Sequence, residues 1–143
     1  MTARALALGA ALLTGCAEPL PVHVLDHDEL PLEVEDACEI LGLLCESDPD
    51  HDYGTITIEL VDPAPPEELV VRGSTAGGGT CSPSMWVEPD AKLIAHELGH
   101  ALGLEHRHAT DGLMLAVRPG LELSDEEMDE IERGGNRLVG CRL

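Results

Sequence analysis

The chain has 143 residues, of which 28 are acidic and only 8 are lysine or arginine, so its formal net charge at pH 7 is −20. This charge argues against a nucleic-acid partner and against a polybasic membrane surface, because phosphates and anionic lipids both attract basic proteins. The length suits one domain, and with no Phe, one Trp and one Tyr the core must be built from aliphatic side chains.

The first 15 residues predict a targeting signal rather than part of the fold. Arg4 precedes an apolar run from Ala5 to Leu13, which is too short to span a bilayer as a permanent helix. The run ends in Leu-Thr-Gly-Cys, which resembles a bacterial lipobox and implies cleavage before Cys16 and lipidation of that cysteine. A diacylglyceryl group with an N-acyl chain anchors a protein stably. The alternative is an ordinary secretory signal in which Cys16 is incidental.

Residues 16–29 are predicted to be a tether between the lipid and the domain, because they contain two prolines and mixed polar side chains. The domain is predicted over 30–143. Apolar residues at helical spacing predict its first helix over about 31–43. The acidic stretch 46–52 is predicted to be a solvated loop. A Ca²⁺ site formed by its carboxylates is the less favoured alternative, since the spacing is not that of an EF-hand.

Two strands are predicted in the middle of the chain. Alternating isoleucines and a leucine predict the first over 55–61. The second, over 81–88, is predicted to lie at the edge of the sheet, where Pro83 is tolerated. Between them we expect a proline-rich loop, a short strand candidate and a glycine-rich mobile connection, over 62–68, 69–72 and 74–80 respectively.

Residues 96–106 read His-Glu-Leu-Gly-His-Ala-Leu-Gly-Leu-Glu-His, which fills every specified position of H-E-x-x-H-x-x-G-x-x-H. A helix places His96 and His100 on one face, where two imidazoles can bind one Zn²⁺. Gly103 ends the helix, since glycine adopts the left-handed conformation without steric cost. The chain then returns His106 as a third ligand. Three protein ligands leave one coordination position open, which is typical of catalytic zinc.

Glu97 directly follows the first ligand, where its carboxylate can reach a water at the metal rather than the metal itself. This position predicts a general base for metal-assisted hydrolysis. His108 is the alternative third ligand, although the spacing from Gly103 favours His106. A non-catalytic zinc-binding surface lipoprotein is the alternative function, but a site that only binds metal has no need of a base at position 97.

The motif resembles the zinc-binding consensus of the metzincin metalloproteases. Met114 lies eight residues after His106 and, with Leu113, is similar to the methionine turn of the matrixin branch. The resemblance implies that Met114 forms an apolar floor beneath the zinc ligands. The predicted elements make an α+β fold, with a small mixed sheet, a helix before it and the zinc helix packed on it. The resemblance implies that an extended protein or peptide substrate binds along the edge strand. The Pro-x-Tyr sequence common after the matrixin methionine turn is absent, so the specificity pocket cannot be transferred.

The stretch 123–131 resembles the start of the last matrixin helix, and Ser124 with Glu127 forms a capping box there. The pair Gly134-Gly135 is predicted to stop or break this helix. Four cysteines besides Cys16 predict two disulfides with three possible connectivities, and we expect the last cysteine to tie the last helix to the body of the domain. These four are Cys38, Cys45, Cys81 and Cys141.

Together these features predict an exported zinc-dependent endopeptidase, lipid-anchored at the bacterial cell envelope and monomeric. It would meet the membrane through its lipid alone. The sequence does not distinguish a peptidase of broad specificity from one dedicated to a single partner.

Overall fold

The computed structural model describes residues 19–50, 53–106 and 123–141. These residues form five strands and three helices: β1 (Leu20–Val24), α1 (Leu32–Ile40), β2 (Cys45–Ser47), β3 (Ile56–Leu60), β4 (Gly73–Ala76), β5 (Ser84–Val87), α2 (Ala91–Ala101) and α3 (Asp125–Gly140). The strands make one sheet in the order β2-β1-β3-β5-β4. Neighbouring strands are parallel except β4, which runs antiparallel to β5. The predicted α+β fold with a mixed sheet is confirmed.

The core between the sheet and the helices is aliphatic, as the composition predicts. Ile56 and Ile58 of β3 are fully buried, and so are Ile94 and Leu98 of α2. Helix α2 packs against α1 and against β4 and β5, while α3 contacts β1. Burial of each such side chain stabilises the fold by roughly 1.5–3 kcal/mol. The sheet therefore forms a fixed base on which α2 is held.

The prediction of a tether over 16–29 is wrong for Leu20–Val24, which form β1 between β2 and β3. Leu20, Val22 and Val24 are at most 3% exposed. A parallel strand that is covered on both faces lacks the marked polar alternation of a half-exposed strand. The prolines at 19 and 21 also argue against a strand. Burial of the apolar side chains outweighs both of these sequence signals.

The order of strands at the far side of the sheet also differs from prediction. The strand over 84–87 lies between β3 and β4, so the edge strand is β4 rather than the predicted 81–88. No strand forms over 69–72, and the stretch 74–80 predicted as a connection contains most of β4. Similarly, β2 includes residues 46–47 of the predicted acidic loop. Strand β4 is short, and such edge strands carry weak sequence signals because they bury little surface.

Both helices near the motif begin at capping residues. The Asp90 carboxylate accepts hydrogen bonds from the Lys92 and Leu93 amides at 3.0 and 3.1 Å, which fixes the start of α2. The predicted capping box of Ser124 and Glu127 is present at the start of α3.

The predicted stop at Gly134-Gly135 is wrong, because α3 continues to Gly140. A Cβ on Gly134 would lie only 2.2 Å from the Leu102 carbonyl oxygen. This glycine therefore allows α3 to approach the end of α2 closely, and it does not end the helix.

Two disulfides form as predicted, and the structure selects one of the three connectivities. Cys38 bonds to Cys45, joining α1 to β2, with a Cα–Cα distance of 6.2 Å. Cys81 bonds to Cys141 at 5.8 Å, so the end of α3 is tied to the segment before β5. Disulfides of this kind are typical of exported proteins. Within the ranges 19–50, 53–106 and 123–141, no helix is both long and apolar enough to cross a bilayer.

Candidate metal centre and active site

Three histidines converge at the C-terminal end of α2. His96 and His100 lie one helical turn apart, and His106 follows the helix. One ring nitrogen from each lies within 4.8 Å of the others. His96 is 6% exposed, whereas His106 is exposed, so the cluster opens from the protein interior to solvent on one side. The structure thus brings together the three residues that the sequence predicts as metal ligands.

A glycine turn positions the third histidine. Gly103 has a φ of +104°, a left-handed conformation that few other residues adopt. The Gly103 amide donates to the His100 carbonyl at 2.9 Å, and the Leu104 amide donates to the Gly99 carbonyl at 2.9 Å. This pair of bonds is a Schellman motif, which reverses the chain at the end of a helix. Leu104 is buried and anchors the turn, so His106 is directed back towards α2.

The spacing of one pair of donors matches a tetrahedral zinc ion. Zn–N bonds of about 2.0–2.1 Å place two ligand nitrogens roughly 3.3–3.4 Å apart. Nε2 of His96 and Nε2 of His106 are 3.3 Å apart. Nδ1 of His100 lies 2.8 Å from the Leu104 carbonyl oxygen. Because a carbonyl only accepts, Nδ1 carries the hydrogen, and the Nε2 lone pair of His100 is left available to a metal.

Glu97 is held beside this cluster by the edge strand. Its side chain is 8% exposed, and its Oε1 atom accepts a hydrogen bond from Thr75 Oγ1 of β4 at 2.7 Å. The same hydroxyl lies 3.1 Å from the Glu97 carbonyl oxygen. No sequence pattern assigns Thr75 a role, since the sequence does not predict β4. The only pattern that could have indicated Thr75 is a polar residue two positions after Gly73, and this pattern is too common to predict a role.

A cleft of about 410 Å³ lies between β4 and the turn after α2. Glu97 and two of the histidines line it, together with main-chain and side-chain groups of β4 and the turn. Its lining residues are Gly73, Ser74, Thr75, Gly78, Glu97, His100, Gly103, Leu104, Glu105 and His106. Two of the three potential metal ligands, the carboxylate and the edge strand therefore share one open space.

Three residues weighed in the sequence analysis lie outside the described part of the chain. These are Cys16, His108 and Met114. Their predicted roles as lipidation site, alternative ligand and apolar floor remain predictions.

Comparison with known proteins supports the fold. No protein-family model matches the chain, and no curated protein matches it. Among solved structures, metalloproteinase-II from Bacteroides fragilis is similar with a TM-score of 0.51 and 14% identity, over 81% of this chain. This chain covers 53% of that protein's length. Archaemetzincin from Methanopyrus kandleri gives a TM-score of 0.49 and 18% identity, over 84% of this chain and 96% of its own. The first of these two likenesses shows that the chain shares the fold of metalloproteinase-II.

Proposed function

We propose that this protein is a zinc-dependent endopeptidase. One observation carries the proposal: three imidazole nitrogens lie within 4.8 Å of one another, and two of these histidines line a cleft together with Glu97. The likeness to metalloproteinase-II supports it at the level of the fold. A metal site alone requires only the histidines, whereas a carboxylate beside them suits hydrolysis.

The residues divide the chemistry between them. His96, His100 and His106 would hold the zinc ion. A bound zinc ion supplies a Lewis acid, which polarises the scissile carbonyl and lowers the pKa of water. Glu97 takes the proton of the attacking water and passes it to the leaving amine. Oε1 of Glu97 already accepts a hydrogen bond from Thr75, which leaves Oε2 free of that contact.

The edge strand supports a peptide substrate. Strand β4 pairs with β5 alone among the described strands, and three of its residues line the cleft. An extended peptide can add to such an edge through main-chain hydrogen bonds. The scissile bond would then lie beside Glu97 and the histidines. This mode of binding favours endopeptidase activity on extended segments of protein.

The finer placement within the metzincins rests on the sequence. The spacing from His106 to Met114 supports a matrixin-like branch, with Met114 beneath the ligands. The lipobox supports lipidation at Cys16 and a position at the bacterial cell envelope. Replacing Cys16 by Ser should move the protein from the membrane fraction to soluble or unprocessed forms. An unchanged membrane fraction and unchanged processing would overturn the lipid anchor while leaving the peptidase proposal intact.

The endopeptidase proposal is tested by zinc analysis and a peptide-library digest of the purified mature protein. We expect one zinc per chain and cleavage within peptides rather than at their ends. Glu97→Ala should keep the zinc and the fold, and should cleave at least roughly 10²–10⁴-fold more slowly. Equal cleavage by Glu97→Ala would overturn the mechanism. A fully zinc-loaded wild type that cleaves nothing in the library would instead favour the non-catalytic zinc-binding lipoprotein.

A further inference from the structure

The contact between β4 and Glu97 involves two positions of the strand. Thr75 Oγ1 lies 2.7 Å from Glu97 Oε1, although the two residues are 22 positions apart in the sequence. Gly73 is on the same face of β4, because side chains alternate along a strand. A Cβ at Gly73 would lie 3.1 Å from Glu97 Cγ and 3.0 Å from Val87 Cγ2. The strand thus leaves space for the stem of Glu97 and places a donor at its carboxylate.

This arrangement restricts a side chain that would otherwise be mobile. Glutamate has three rotatable bonds and loses considerable rotamer freedom when it is fixed. Hydrogen bonds to an ionised carboxylate are shorter and stronger than bonds between neutral groups. A donor at Oε1 restricts rotation of the carboxylate, and Glu97 lines the cleft. A catalytic group held in its productive geometry by its surroundings reacts faster than one that must find that geometry.

We propose that Thr75 is a positioning residue, whose hydroxyl holds the Glu97 carboxylate in the orientation needed to accept the proton. The inference rests on the proposed peptidase function. In this proposal Thr75 acts through Glu97 rather than on the metal or the scissile bond. The contrasting possibility is that Thr75 only fixes β4 to α2 through the Glu97 carbonyl, which lies 3.1 Å away. The two roles predict different results for the same substitutions.

The kinetic test uses Thr75→Val, which keeps the shape and loses the hydroxyl, and Thr75→Ser, which keeps the hydroxyl. Thr57→Val is the matched control, since Thr57 is equally half-buried and lies on the opposite face of the sheet. We expect Thr75→Val to lower kcat roughly 10–100-fold with KM and zinc content unchanged. Thr75→Ser should retain most of the wild-type kcat, and Thr57→Val should retain all of it. Wild-type kcat in Thr75→Val, or an equal loss in Thr57→Val, would overturn the inference.

A second measurement does not depend on activity. In the metal-free protein, Thr75→Val should lower the midpoint of thermal unfolding when Glu97 is present, and should lower it little in a Glu97→Ala background. Such coupling shows that the hydroxyl acts on the carboxylate. Equal decreases in both backgrounds would overturn the inference and leave Thr75 a structural role. This cycle also separates the two proposals: an inactive wild type would count against the peptidase, while the coupling would still decide whether Thr75 holds Glu97.

Discussion

The two walls of the cleft are specified by the chain in different ways. The zinc helix and its turn, residues 90–106, are fixed by contacts between near neighbours: Asp90 with Leu93, and Gly103 with His100. Strand β4 and the glycine loop, residues 73–80, pair with β5 and meet α2 through contacts with residues 22 positions away. The three histidines are therefore brought together by local contacts, whereas the surroundings of Glu97 depend on the fold.

The largest effect is expected from a substitution in residues 90–106, the wall of the cleft that carries the histidines. His100→Ala removes one of the three proposed ligands and the contact with the Leu104 carbonyl. We expect zinc content to fall from one per chain to almost none, and cleavage to be lost with it, because two histidines alone bind zinc weakly. Metal analysis after gel filtration measures this. His27→Ala, at an exposed histidine of the turn after β1, should keep its zinc. Stoichiometric zinc in His100→Ala would mean that the ligands are wrongly assigned.

The next largest effect is expected from a substitution in residues 73–80, the wall of the cleft that is opposite the histidines. A Cβ at Gly78 would lie 2.3 Å from the His100 carbonyl oxygen, and a backbone atom cannot swing aside. The Gly79 amide also donates to the Ala101 carbonyl at 3.1 Å, so the glycine loop covers the end of α2. We expect Gly78→Ala to lower the free energy of unfolding by about 1–3 kcal/mol, the usual cost of overpacking. Urea denaturation of the metal-free protein measures it.

Gly135→Ala is the matched control for that substitution. Gly135 lies within α3, and a Cβ there would meet nothing within 4 Å. Alanine should therefore raise the free energy of unfolding by about 0.5–1 kcal/mol, because it restricts the unfolded chain. Similar decreases in the free energy of unfolding of Gly78→Ala and Gly135→Ala would show that the glycine loop does not pack on α2 in the way described.

The smallest effect is expected from a substitution that disturbs the proposed base, Glu97, and leaves the proposed zinc ligands unchanged. In Gly73→Ala the new methyl would press on Glu97 Cγ at 3.1 Å, and Val87 on its other side is fully buried. A displacement of a few tenths of an ångström should lower kcat by about 3–10-fold, since a shift of about 1 Å can cost roughly 100-fold. Zinc content should not change. Loss of zinc with unchanged kcat per bound zinc would contradict the division between the two walls.

Features with a local cause were predictable from the sequence. The alternation in β3, the caps at Asp90 and Ser124, and the glycine that ends α2 each involve residues a few positions apart. The same is true of the histidine motif, whose spacing alone places three ligands together. Disulfide formation followed from the number of cysteines, but the connectivity did not, because it depends on which strands and helices meet.

Features with a distant cause were not predictable. Leu20–Val24 form a strand because β2 and β3 cover both of its edges, and neither neighbour is visible in a stretch that contains Pro19 and Pro21. Gly134 lies inside a continuous helix, although in the sequence it resembles a stop. Its lack of a side chain allows the Leu102 carbonyl to approach closely. Thr75 contacts Glu97 only because the fold places β4 beside α2. In each case the deciding contact joins parts of the chain that are far apart in sequence.

The position of β1 has a consequence for where such an enzyme could work. Leu20 is buried at the start of a central strand, only four residues after Cys16. Four fully extended residues span at most about 14 Å. If Cys16 carries the proposed lipid, the linker between the lipid and the domain is very short, and the domain lies close to its bilayer. The proteins that a domain anchored in this way can reach are those embedded in, or passing close to, the same membrane surface.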